Sequence, residues 1–154
     1  MQKTLLLVDD ELGILESLGE ILNRFGYNVI AKPDAQSALS VVRSGTHVDL
    51  VITDYRMPGM DGLEFSILLK QVLPDVPVIM LTAYGAVETY LKSLSIGIFE
   101  YVNKPVKAKD LGQIVKSALA CREDDNIAPG RRLTRESPSF KMRDDAIRRD
   151  DPLS

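Results

Sequence analysis

The chain has 154 residues, 45% of them hydrophobic, which suffices for one domain with a real core and is too short to expect two. Its 19 Lys+Arg against 22 Asp+Glu leave a formal net charge of −3, which argues against direct nucleic-acid binding by this segment. The single cysteine, Cys121, cannot form an internal disulfide, no signal pattern opens the chain, and no apolar run approaches the roughly 20 residues that span a bilayer, so a cytoplasmic protein without membrane contact is expected.

In chain order, short apolar runs alternate with helical periodicities. Thr4–Val8 is the first predicted strand, and Leu15, Leu18, Leu22 and Phe25 give a helical stripe ended by Gly26. A second strand is predicted over Asn28–Ala31, followed by a helix that begins after Asp34 and stops at Gly45. The lone histidine, His47, precedes the third strand (Asp49–Thr53) and reads as a surface or turn residue, leaving little material for a His-rich metal site or a Ser-His-Asp triad. A helix follows Asp61, with Glu64 spaced as its capping-box partner, and ends before Pro74. Val76–Leu81 is the fourth strand, Val87, Tyr90, Leu91 and Leu94 form the fourth stripe, and Phe99–Val102 is the fifth strand. Leu111, Ile114, Val115 and Ala118 make a fifth stripe that runs out at Cys121.

Five βα units with continuous rather than alternating apolar strands imply an α/β fold: a doubly wound parallel sheet buried on both faces. The expected domain is 1–121. Residues 122–154 lose both periodicities, and their eight basic and eight acidic residues cancel, so they read as a mixed-charge tail or linker outside the core.

Ligands of such sheets bind beyond the carboxyl ends of the strands, so the residues that follow each strand carry the chemistry. They are Asp9, Asp10 and Glu11 after the first, Asp54 after the third, Thr82 after the fourth, and Asn103, Lys104 and Pro105 after the fifth. Carboxylates gathered at one edge repel one another unless a cation lies among them, and oxygen-only donors favour Mg²⁺ or Mn²⁺. Lys104 and Thr82 add donors suited to phosphoryl oxygens. No Gly-x-x-x-x-Gly-Lys or Gly-x-Gly-x-x-Gly loop is present to cradle a nucleotide, so the nucleophile is expected to be a protein carboxylate, with Asp54 on the central strand as the candidate. Any one of these aspartates is equally well accounted for as a helix N-cap; what favours function is that Asp9, Asp10, Asp54, Thr82 and Lys104 all fall at one end of successive strands. Met57, Leu68 and Met80 read as packing, and Lys107 with Lys109 as a solvated helix start.

At these positions the sequence resembles the response-regulator receiver domain, the CheY-like phosphoacceptor module of two-component signalling. The resemblance covers about residues 3 to 121 and rests on Leu7-Val8-Asp9-Asp10-Glu11, on the run from Ile52 through Asp54-Tyr55-Arg56-Met57-Pro58-Gly59 to Asp61-Gly62, on Leu81-Thr82-Ala83-Tyr84-Gly85, and on Tyr101-Val102-Asn103-Lys104-Pro105. The 52–62 stretch is most similar to NtrC-type receivers. The resemblance implies a flavodoxin-like sheet of order 2-1-3-4-5 and phosphorylation of Asp54 by a histidine kinase or phosphotransfer protein. It further implies Mg²⁺ held by the Asp10 and Asp54 carboxylates and the Arg56 backbone carbonyl, with Asp9 acting through water. Thr82 would hydrogen-bond the phosphoryl group, Lys104 would pair with it, Tyr101 would be the aromatic whose rotamer follows Thr82, and Pro105 would follow a cis peptide bond. The downstream protein target is not named by the sequence, and a phosphorylation-dependent homodimer is compatible with it. A phosphorylated Asp54 would add roughly −1.5 to −2 charge beside two aspartates, which itself demands a neutralising cation.

Three other readings compete. A flavodoxin-like cofactor binder would have to receive a phosphate among Asp9, Asp10 and Glu11, which repel it. An aspartyl-nucleophile phosphatase would need an acid two residues after its nucleophile, where Arg56 stands. A protein-binding module that works without phosphorylation would retain the fold but has no need of an intact acidic set.

Overall fold

The structure is a computed structural model that describes residues 2–83 and 96–127, with side chains through Cys121. The chain divides into two compact units, Met1–Leu119 and Ala120–Ser154, and the first contains the sheet. In order it holds β1 (Thr4–Val8), α1 (Leu12–Arg24), β2 (Asn28–Lys32), α2 (Ala35–Arg43), β3 (Leu50–Asp54), α3 (Gly62–Val72), β4 (Val78–Thr82), β5 (Glu100–Asn103) and the start of α4 (Ala108–Ile127). The stripe at Val87, Tyr90, Leu91 and Leu94 lies outside the described residues, as do residues 128–154 of the expected tail.

All five strands are parallel in the order β2-β1-β3-β4-β5, the flavodoxin-like arrangement the resemblance implies. The continuous apolar runs are explained by burial on both faces. Leu5, Leu7, Leu50, Ile52, Ile79 and Leu81 point into one cluster with Leu15, Leu18 and Leu22 of α1 and Leu111 and Val115 of α4. The alternate residues Leu6, Val8, Val51 and Val78 pack on the other face against Leu39 and Val42 of α2 and Phe65 and Leu69 of α3. Met57, Met80 and Leu68 pack as read, while Lys107 and Lys109 are exposed.

Local signals place most element ends. Asp34 caps α2 by accepting the Ser37 N–H at 2.7 Å, and Asp61 with Glu64 forms the complete capping box of α3. Gly26, at φ +96°, takes the left-handed turn after α1 that other residues resist. Several ends differ from expectation. Asp54, Thr82 and Asn103 are the last residues of their strands rather than the first beyond them, because backbone pairing continues one step past the apolar run. The fourth strand starts at Val78, not Val76: Pro77 has no N–H to give a ladder, and the Val76 N–H is taken by the Leu73 carbonyl. The last helix continues past Cys121 to Ile127, since Arg122–Ile127 contains no breaker and the first proline is Pro129.

At the amino end of the sheet, the buried Asp49 carboxylate ties β3 to β1 by accepting the Thr4 N–H at 2.8 Å, and it meets His47 Nε2 at 2.8 Å. Burial alone would raise the Asp49 carboxyl, but the Thr4 N–H, His47 and the Lys3 charge outweigh it and hold the group below the ordinary carboxylate range. A carboxylate depressed in the fold contributes stability above its unfolded pKa and loses it as pH falls through the folded one. Asp49→Ala is therefore expected to cost about 1–3 kcal/mol at neutral pH by leaving the Thr4 N–H unsatisfied. That cost should shrink below about pH 4. Urea unfolding of both proteins at neutral and acid pH measures it; a pH-independent difference would show that the carboxylate charge is not what holds the strand.

Candidate functional site

The strand order reverses between β1 and β3, so the crevice of the sheet opens at their carboxyl ends. Asp9 and Asp10 leave β1 there and Asp54 ends β3 beside them. One carboxylate oxygen from each lies within 4.8 Å of the other two, with Asp9 and Asp54 buried and Asp10 exposed. From the end of β5, Lys104 reaches across the mouth and places Nζ 3.1 Å from Asp54 Oδ1 and 3.2 Å from Asp9 Oδ2. The other Asp9 oxygen accepts the Glu11 N–H at 2.9 Å, so both oxygens of Asp9 are engaged while Asp10 faces solvent.

The charges are unevenly compensated. Burial raises the Asp54 carboxyl, Lys104 pulls it back, and Asp9 and Asp10 push it up again, leaving it at about 6. Burial would lower Lys104, but its hydrogen bond and charge contact with Asp54, and then the Asp9 charge, raise it, so the ammonium stays protonated through the neutral range. One half-buried cation thus faces more anionic charge than it offsets. The donors are all hard oxygens, the set that suits Mg²⁺ or Mn²⁺ and not a softer metal.

The remaining candidates surround this cluster. Thr82 is buried at the end of β4, with its hydroxyl donating to the Ala83 carbonyl at 3.1 Å. Tyr101 stands opposite Met80 in the β4–β5 register, diagonal to Thr82; burial raises its phenol, and the neighbouring Thr82 side chain pulls it part of the way back. The Lys104–Pro105 peptide bond is cis. Arg56 is exposed, with its guanidinium 5.9 Å from the Tyr55 ring centre, and lines an open cleft of about 440 Å³ together with Asp10, Tyr55, Met57, Pro58, Gly59 and Asp61. Ala83 is exposed. His47 lies at the opposite end of the strands with most of its side chain in solvent.

The N-cap explanation fails for Asp54, because α3 begins at Gly62 and is capped by Asp61. Two features of the site went unread in the sequence. Glu11 stands apart from the aspartate cluster and instead lies 3.7 Å from Lys104, and Gly62 packs against the backbone of Asp54 and Tyr55. The Asp61-Gly62 pair signalled only a helix start; the contact behind Asp54 depends on the fold.

A parallel α/β sheet with an acidic pocket at its switch point and a lysine crossing it defines a class of small signalling modules, and comparison fixes the family. Residues 5–116 match the response regulator receiver domain model, and the chain belongs to that family. It is 32% identical over 124 residues to the sporulation initiation phosphotransferase F of Bacillus subtilis (strain 168), an alignment covering 80% of this chain and 99% of that protein. It is 39% identical over 115 residues to the transcriptional regulatory protein GlrR of Escherichia coli (strain K12), covering 75% of this chain and 26% of the relative, so the chain matches about a quarter of that regulator's length. A solved receiver domain protein (CheY-like) from Methanospirillum hungatei JF-1 superposes with a TM-score of 0.78 at 31% identity, covering 81% and 99% of the two chains. The protein is a two-component response regulator receiver with an Asp9/Asp10/Asp54 pocket and Lys104, a phosphoacceptor module. Among the described residues no helix is long and apolar enough to cross a membrane.

Proposed function

We propose that Asp54 accepts a phosphoryl group from the phosphohistidine of a histidine kinase or phosphotransfer protein, in a reaction that requires Mg²⁺ or Mn²⁺. The observation that carries this is the Asp54 carboxylate itself: it ends the central strand, is only 8% exposed, and lies between Lys104 and two further aspartates. An Asp54 oxygen attacks phosphorus, the P–O bond forms as the P–N bond breaks, and the electron pair leaves on the imidazole nitrogen, which takes a proton from solvent. Asp10, Asp54 and the Arg56 carbonyl would hold the ion, and Asp9 would stand behind them. The full engagement of Asp9 and the exposure of Asp10 support that division of labour. When bound, the ion supplies positive charge to the transferring phosphoryl oxygens.

Lys104 would then pair with the phosphoryl group and Thr82 would turn its hydroxyl toward it. The diagonal placement of Thr82 and Tyr101 on adjacent strands supports coupling of that turn to the face carried by β5 and α4, from which a protein target would read the state. Residues 1–121 would constitute the receiver and 122–154 a tail or linker. Similarity to transcriptional regulators such as GlrR and ZraR supports a transcriptional output, with a cytoplasmic kinase domain as donor.

Acetyl phosphate with Mg²⁺ tests the reading directly. Acid-labile phosphorylation that disappears on chelation is expected, and Asp10→Ala should weaken Mg²⁺ binding about 10–100-fold, seen by NMR titration. A chain that takes no label with either ion would instead be a binding module that works without phosphorylation.

A further inference from the structure

We infer that Gly62 is a positioning residue for the metal and phosphoryl site, acting through the backbone of Asp54 and Tyr55. This rests on the reading of Asp54 as the phosphoacceptor. Gly62 is the first residue of α3, where alanine would be the better helix former, and it is not among the glycines with positive φ. Neither helix propensity nor backbone conformation therefore calls for glycine. Contact does: a Cβ at this position would overlap the Asp54 carbonyl oxygen and lie 2.9 Å from Tyr55 Cα.

The contact belongs to a connected brace. The Gly62 N–H donates to the Tyr55 carbonyl at 2.7 Å, the buried Ser66 hydroxyl donates to the Gly62 carbonyl at 2.8 Å, and the buried Thr53 hydroxyl donates to the Asp54 carbonyl at 3.0 Å. Asp61 and Glu64 lock the same helix start through the capping box. The loop that leaves Asp54 and carries the Arg56 carbonyl is thus pinned from behind to the first turn of α3. A methyl group at 62 must push either that turn or the Asp54–Tyr55 peptide away, and the carboxylate and carbonyl that would share one ion move apart. The neighbouring elements need not unfold for this to happen.

The test is Mg²⁺ titration of the full chain by amide NMR, with thermal melting beside it, for wild type, Gly62→Ala, Ser66→Ala and Gly19→Ala. Gly19 lies in α1 where an added Cβ meets nothing within 4 Å, so its variant should bind Mg²⁺ as wild type does. Gly62→Ala should bind about 10–100-fold more weakly, with amides 54–57 already shifted before metal is added. Ser66→Ala should shift the same amides and weaken binding severalfold. A folded Gly62→Ala protein with wild-type affinity overturns the inference; so does an unfolded one accompanied by wild-type affinity in Ser66→Ala. Failure of wild type and Gly19→Ala alike to bind Mg²⁺ is a separate result that overturns the reading of the site itself.

Discussion

Asp54→Asn is expected to abolish acid-labile phosphorylation by acetyl phosphate and Mg²⁺ while making the metal-free protein more stable at neutral pH. The amide nearly preserves the shape of the carboxylate but offers no anionic oxygen to attack phosphorus. The neighbours are poor substitutes, since both oxygens of Asp9 are already bound and Asp10 faces solvent. The stability gain follows from the Asp54 carboxyl standing at about 6 in the fold, well above its unfolded value. A carboxyl raised in this way contributes stability that is complete below about pH 4 and lost as pH rises through about 6. At about 1.4 kcal/mol per pKa unit the wild-type protein carries a penalty on the order of 1–3 kcal/mol at pH 7, which asparagine does not. Melting without divalent ions should show the variant several degrees higher at pH 7 and level with wild type near pH 4. Added Mg²⁺ should raise wild type and leave the variant nearly unmoved. Undiminished labelling of Asp54→Asn would remove Asp54 from the reaction. A variant no more stable at pH 7 than at pH 4, relative to wild type, would show that Lys104 alone already balances the pocket.

How far the sequence disclosed this site depended on the kind of force involved. Burial on both faces writes itself into continuous apolar runs, so Leu5–Val8 and Val78–Leu81 marked strands that flank the crevice. Hydropathy marks burial by the core and not the hydrogen-bond ladder, so the predicted strands stopped short of Asp54, Thr82 and Asn103, polar residues that still pair with their neighbours. Local chemistry was equally legible where both partners are near in sequence, as in the Asp61–Glu64 box. The convergence of polar residues followed once every strand was taken to run the same way, because a parallel sheet brings all its carboxyl ends to one edge. Contacts set by tertiary approach were not legible. The Lys104–Asp9 bond joins residues 95 apart, and only the fold shows that Lys104 is drawn toward Glu11 as well, or that Gly62 lies against Asp54.

Lys104→Met should leave the sheet intact, slow phosphorylation about 10–100-fold and move the Asp54 carboxyl further above about 6. Methionine keeps much of the unbranched stem, which is largely buried, and removes only the ammonium and its contacts of 3.1 Å to Asp54 and 3.2 Å to Asp9. Those contacts are charge-assisted, and losing one costs about 1.5–3 kcal/mol when the partner charge stays behind, which is the source of the expected rate loss. Lys104 is what lowers the Asp54 carboxyl, so without it burial and repulsion by Asp9 and Asp10 raise that carboxyl further. Because Lys104 itself is held above its ordinary range, it does not titrate near neutrality, and any pH dependence there belongs to Asp54. In wild type, protonation of Asp54 should therefore suppress labelling as pH falls through about 6, and in Lys104→Met the whole profile should slide to higher pH. Carboxyl ¹³C NMR across pH 4–9 locates the titration, and acetyl phosphate kinetics over the same range locates the profile. If the variant's profile superposes on wild type's with only its height reduced, Lys104 contacts the phosphoryl group without governing the acceptor. If the height is unchanged as well, the lysine serves the fold and the neutralisation of the pocket falls to the divalent ion alone.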